Sequence, residues 1–204
     1  MIRVLFLAAN PAGTSPLTLD EEVRAIDAKV RAAKHRDLLE LASHWAVRLD
    51  DLSGILLRQR PHVVHFSGHG APTGEILLLD ANGSPRSVPP DALAGFFRVL
   101  KDNVRVVLLN ACYSEAQAKS IVKEIDCAIG MRDEIGDDHS IAFAAEFYQA
   151  LAYGRSVQDG FDLGVHRLVG EGVAEAKQLV RLHKHKGVRP DEIVLVGDTA
   201  APPR

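Results

Sequence analysis

The chain has 204 residues, 47% of them hydrophobic, and a formal net charge of −3, which suits one compact domain with a full core. It lacks a dense Lys/Arg cluster able to neutralise several phosphates, so nucleic acid is excluded as the expected main partner. The apolar runs at residues 4–9 and 104–109 fall far short of the ~20 residues a membrane-spanning helix needs. Cys112 and Cys127 are too few for a disulfide framework, and the expectation is a cytoplasmic chain with free thiols and neither anchor nor secretion signal.

Short apolar runs at residues 3–8, 62–66, 104–109, 127–130 and 192–196 read as buried strands. Between them, residues 19–33, 50–60, 90–101, 113–124 and 141–153 carry apolar positions at helical spacing. Asp20, before Glu21 and Val23, is a candidate start for the first helix, and Pro89-Pro90 suits the first turn of the third. Residues 75–88 hold Asn82-Gly83 between Ile76-Leu77-Leu78-Leu79 and Val88, a hairpin signal outside the main sheet. Residues 35–47 fit neither period, although an α/β sheet calls for a strand there. The domain is expected to span residues 1–198, with 199–204 a Pro-containing tail or the beginning of a linker. This alternation predicts a mostly parallel sheet covered on both faces, with functional groups beyond the carboxyl ends of its strands.

Two strand ends satisfy that rule. In His62-Val63-Val64-His65-Phe66-Ser67-Gly68-His69-Gly70, a strand breaks into glycines and leaves His69 beyond its end. In Val106-Val107-Leu108-Leu109-Asn110-Ala111-Cys112-Tyr113-Ser114, a buried strand ends in a cysteine at the switch to a helix. A thiol near a helix start and an imidazole is driven toward thiolate, the reactive form. If the strands are neighbours, their ends lie about 5 Å apart, so the pair can share a proton, and the N–H groups of Gly70 and Cys112 can form an oxyanion hole.

Other readings of these residues are weaker. His62, His65, His69 and Cys112 offer zinc-type ligands, but a strand turns His62 away from His65 and His69, so no compact metal motif remains. His65 reads as a satisfied histidine under the site, and Cys127 as core. Gly68 and Gly70 lack the Gly-Lys-Ser/Thr or Gly-x-Gly-x-x-Gly context of a phosphate loop. The charged stretch at 183–189 reads as a solvated helix end and turn.

HFSGHG and LLNACYS, in this order, resemble the CHAT family of caspase-like peptidases. FLAANP, LDEEVRAI, IGMRDEI, AFAAEFYQAL and the run at 193–196 extend the likeness over nearly the whole chain. Here 112 − 69 = 43 residues separate the histidine from the cysteine, which follows Asn110-Ala111 where a caspase has Gln-Ala. The resemblance implies a caspase-like three-layer α/β/α sandwich with a small peripheral β-hairpin. It implies an endopeptidase acting on a protein or peptide, with Cys112 as nucleophile, His69 as general acid and base, and Gly70 in the oxyanion hole. It implies no metal or organic cofactor and no third, orienting residue. Asn10 and Asn110 take the positions that line the pocket for the side chain preceding the cleaved bond, which is expected to be uncharged; Asp133, Asp137 and Asp138 could lend it negative charge. Family members are often regulated by sensor or repeat modules in bacterial signalling, defence or cell death. The competing expectation is a silent module that keeps the fold as a scaffold.

Overall fold

The computed structural model describes residues 1–197, so the expected tail at 199–204 lies outside the described residues. The chain runs through β1 (Ile2–Ala9), α1 (Leu19–Arg31), β2 (Leu39–His44), α2 (Leu52–Gln59) and β3 (Val63–Gly68). The hairpin β4 (Ile76–Leu79) and β5 (Pro85–Val88) follows, then α3 (Pro90–Leu100), β6 (Val106–Asn110), α4 (Glu115–Ile121) and β7 (Cys127–Met131). It finishes with α5 (Asp137–Ala152), α6 (Val157–Gly170), α7 (Ala176–Leu179) and β8 (Val180–Lys184).

Among the described residues, six strands form the central sheet in the order β2-β1-β3-β6-β7-β8, and all are parallel except β8, which runs antiparallel to β7. Alternate side chains of each strand enter two separate cores. Val4, Phe6, Val63, Leu108 and Ile129 meet apolar residues of α1, α5 and α6, whereas Leu5, Leu7, Phe66, Val107 and Leu109 meet α2, α3 and α4. The result is three layers, helices on sheet on helices, with the antiparallel hairpin beside them. No helix among the described residues is long and apolar enough to cross a membrane.

Three elements depart from the sequence reading. The sixth strand is β8, not residues 192–196, and residues 183–184 expected in a helix end belong to it. Ile193, Leu195 and Val196 are buried, but they seal the end of the core through a single bridge, Ser156 to Val194. β8 escapes notice because it is an edge strand with Arg181 and Lys184 exposed, a usual guard against edge pairing. Helix α6 carries Gly160 and Gly164 where an apolar stripe is sought; a Cβ on Gly164 would lie 2.7 Å from the Phe143 ring, so these glycines let α6 press against α5. The ambiguous segment at 35–47 contains edge strand β2, in which Leu39 is buried, Glu40 exposed and the other four residues half-buried.

Candidate active site

Both dyad candidates follow adjacent strands. β3 and β6 pair in parallel, and their last rung joins Ser67 to Asn110, two residues before His69 and Cys112 respectively. The hairpin fixes the histidine turn: Leu77 N–H donates to the His69 carbonyl at 2.9 Å, and Ala71 N–H donates to the Glu75 carbonyl at 2.8 Å. These two bonds flank an antiparallel bridge between Gly70 and Ile76, a geometry that directs the Gly70 N–H away from the hairpin.

The cysteine turn is built differently from the expected helix start. Helix α4 begins only at Glu115, so Cys112 lies in a tight turn before it and gains little from the helix dipole, which acts within the first turn. Tyr113 has φ of 56°, a left-handed conformation uncommon for a non-glycine residue. Buried Ser114 stitches this turn into the sheet, donating to the Leu109 carbonyl and accepting from Met131 N–H, each at 3.0 Å. The Tyr113 hydroxyl donates to Glu134 at 3.1 Å, which anchors the segment after β7 beside the cysteine.

The two turns touch. A Cβ built on Gly70 would lie 1.8 Å from the Cys112 carbonyl oxygen, so only glycine permits this approach. Among the described residues, no acceptor takes the backbone N–H of Gly70 or Cys112. The backbone of Ser15, in the loop after β1, lies beside His69, a neighbour the sequence reading did not name. Its Nε2 is buried without a partner, and Cys112 Sγ faces the Ile135 carbonyl at 3.9 Å, so the pair is not hydrogen-bonded in this conformation. Burial pushes the His69 imidazole below its ordinary value, against opposing pulls from Ser15 and Asp137.

Asn10 is exposed at the end of β1 and donates to the Leu17 carbonyl at 3.4 Å. Asp137, first residue of α5, accepts from Thr18 N–H (2.8 Å) and Thr18 Oγ1 (2.6 Å), where α1 starts; Thr18, not Asp20, is the residue before that helix. Asp133 and Asp138 are exposed. Asn110 is buried, and its Nδ2 donates to Glu22 Oε1 at 2.5 Å. Ser67 Oγ donates to the other oxygen of the same carboxyl group. His65 is fully buried with Nε2 3.1 Å from Glu22 Oε1, off the line of a hydrogen bond, and it stacks on Tyr148 at 5.6 Å. It lies under the site as expected, but with neither ring nitrogen hydrogen-bonded. Glu22 was missed in the sequence, although Leu19, Glu22, Ile26 and Val30 trace one buried stripe of α1 on which a carboxyl group is out of place. Leaving either of its buried donors unpaired costs about 1–3 kcal/mol.

Cys127 is fully buried, and its thiol is pushed up to about 12 by desolvation, as suits a core position. Among the described residues, no group of three or more His, Cys, Asp or Glu side chains is placed to hold a metal ion.

The CHAT domain profile matches residues 6–161. The chain belongs to the CHAT family. A protein of Gillisia limnaea named "Probable protease" is 25% identical over 156 residues, covering 74% of this chain and 27% of that protein. A Roc-COR-CHAT protease from an unknown prokaryotic organism is 22% identical over 156 residues, covering 73% of this chain and 15% of its own. This chain thus spans about a quarter or less of either relative. Among solved structures, a secreted C11 cysteine protease from Bacteroides thetaiotaomicron, bound to an irreversible peptide inhibitor, superposes with a TM-score of 0.63 at 14% identity over 89% of this chain and 66% of that one. The Drosophila initiator caspase Dronc gives 0.56 at 11% identity, covering 90% and 79%, and the Arg-specific gingipain R gives 0.56 at 10%, covering 86% and 44%. The fold of this CHAT domain is therefore that of the caspase-like cysteine proteases.

The contact between the turns makes a direct prediction. Gly70→Ala should destabilise the domain by about 1–3 kcal/mol in urea unfolding, as overpacking does. Gly95→Ala, at a helical position with nothing within 4 Å of its added Cβ, should instead gain roughly 0.5–1 kcal/mol.

Proposed function

We propose that this CHAT domain is a cysteine endopeptidase. The observation that carries the reading is the contact of Gly70 with Cys112, which sets the histidine turn against the cysteine turn at the ends of two paired strands. His69 takes the proton from Cys112 Sγ, and the thiolate attacks the carbonyl carbon of the scissile bond. The N–H groups of Gly70 and Cys112 hold the developing oxyanion. His69 then protonates the leaving amine as the C–N bond breaks, leaving a thioester on Cys112. Water, deprotonated by His69, attacks the thioester, releases the carboxylic acid and returns the thiol. The chemistry calls on no metal or organic cofactor.

Asn10 and Asn110 line the pocket for the side chain preceding the cleaved bond, with Asp137 at its rim, and that side chain is uncharged. Two features support this assignment: Asp137 is already bound by Thr18, and the Glu22 carboxyl group is 1% exposed behind Asn110. The much greater length of both relatives supports a peptidase governed by a sensor or repeat module, and we place its protein substrates in cytoplasmic signalling or defence.

Cleavage of candidate proteins and peptides should vanish in Cys112→Ala and fall sharply in His69→Ala; fragment patterns identical to wild type in both would leave only a scaffold role. A peptide library should select uncharged residues before the cut, and strong selection of Arg, Lys or Asp would refute the pocket assignment. A base must be neutral to accept a proton, and His69 is held below its ordinary 6.5, so the acid limb of kcat/KM should have its midpoint below pH 6.5. Because Asp137 raises the His69 value, Asp137→Asn should move that limb to still lower pH.

A further inference from the structure

Beyond the last rung of β3 and β6, no ladder holds the two turns at a fixed distance. Ser67 and Asn110 form that rung, and the side chains of both end on one carboxyl group, Glu22 of α1. Along each chain, the reactive residue stands two positions further on, in the turn into which this rung leads. The carboxyl group is 1% exposed and its donors 3% and 4%, so water does not compete for these bonds. Its own backbone is fixed as well: Glu22 N–H donates to the Thr18 carbonyl at 3.1 Å, and Thr18 is bound by Asp137 of α5.

We infer that Glu22 is a positioning residue that sets the separation of the His69 and Cys112 turns by clamping Ser67 and Asn110 across the end of the β3–β6 ladder. This rests on the reading of His69 and Cys112 as the reactive pair. Glu22 touches neither reacting atom. It acts through the strands, and the chemistry needs a hydrogen-bond bridge between two donors. A glutamine can supply much of that bridge, its oxygen accepting from Asn110 and its amide donating to Ser67 Oγ, whereas alanine supplies none.

The test compares wild type, Glu22→Ala, Glu22→Gln, His69→Ala, Cys112→Ala and Ile26→Ala. Ile26 is fully buried one turn further along the same stripe of α1, so its truncation loosens the helix without touching the clamp. With each variant kept below its measured unfolding temperature, Glu22→Ala should lose about 10- to 100-fold in kcat on peptide cleavage with KM within about twofold, the scale of a small misplacement of reacting groups. Glu22→Gln should recover to within about threefold of wild type, and Ile26→Ala should keep its kcat. Equal loss in Ile26→Ala, or undiminished kcat in folded Glu22→Ala, would overturn the clamp. If Glu22→Ala does not fold, Ser67→Ala removes one arm and is judged by the same criteria.

A second readout does not depend on cleavage: the pH profile of iodoacetamide alkylation at Cys112, followed by mass spectrometry. The Glu22→Ala profile should move from that of wild type to that of His69→Ala. If wild type and Cys112→Ala cleave equally little, the peptidase reading fails, yet this profile still decides the clamp. A Glu22→Ala profile coincident with wild type sinks it, as does a His69→Ala profile coincident with wild type, since no coupled pair would then exist to be held.

Discussion

Gly70 and Cys112 meet where one extra carbon atom would not fit, and the arrangement of the site follows from that approach. The contact requires β3 and β6 to be neighbours, their ladder to end on the Ser67–Asn110 rung, and both chains to turn immediately beyond it. The left-handed Tyr113 and the buried Ser114 set the cysteine turn, and the hairpin bonds at His69 and Ala71 set the histidine turn. Conformational strain of this kind persists only where the surroundings over-determine it. Here the surroundings are a hairpin on one side and β7 on the other.

The two faces of the sheet are not equivalent. Toward α2, α3 and α4, strands β3 and β6 are apolar, with Val64, Phe66, Val107 and Leu109 packed beside Leu5 and Leu7 of β1. The opposite face, toward α1 and α5, starts apolar at Val4, Val63 and Val106 and becomes polar toward the strand ends at His65, Ser67 and Asn110. Buried polar groups have a strong requirement for partners, and Glu22 supplies one for two of the three. The gradient from apolar to polar along one face runs toward the strand ends from which the His69 and Cys112 turns depart.

Much of this was legible in the sequence because strand ends and glycine breaks leave local marks. The run from His62 to Gly70 and the run from Val106 to Ser114 reveal two buried strands, their order and the residues just beyond them without reference to the rest of the chain. The hairpin was equally plain from Asn82-Gly83. What escaped was encoded in contacts between distant segments. Gly160 and Gly164 weaken the apolar pattern of α6 because they serve Phe147 and Phe143 of another helix. Arg181 and Lys184 disguise β8 because an edge strand is wet on one side. Ser15 acts on His69 through its main chain, which no side-chain pattern reports. Glu22 did leave a trace, a carboxyl group on an apolar stripe, but its meaning depended on Ser67 and Asn110 lying opposite each other 45 and 88 residues away.

The hairpin has one more attachment: Ala12 N–H, in the loop after β1, donates to the Gly83 carbonyl at its tip at 2.9 Å. That same loop leaves β1, whose last rung pairs Ala9 with Gly68 next to His69, while the base of the hairpin reaches His69 through Leu77. Loop, hairpin and histidine turn therefore form a closed ring of linked segments. A ring has fewer independent motions than an open chain of the same pieces, since displacing one side requires the others to follow. The histidine turn is held by geometry closing on itself, and any force applied to the exposed hairpin tip is carried to it by two routes at once.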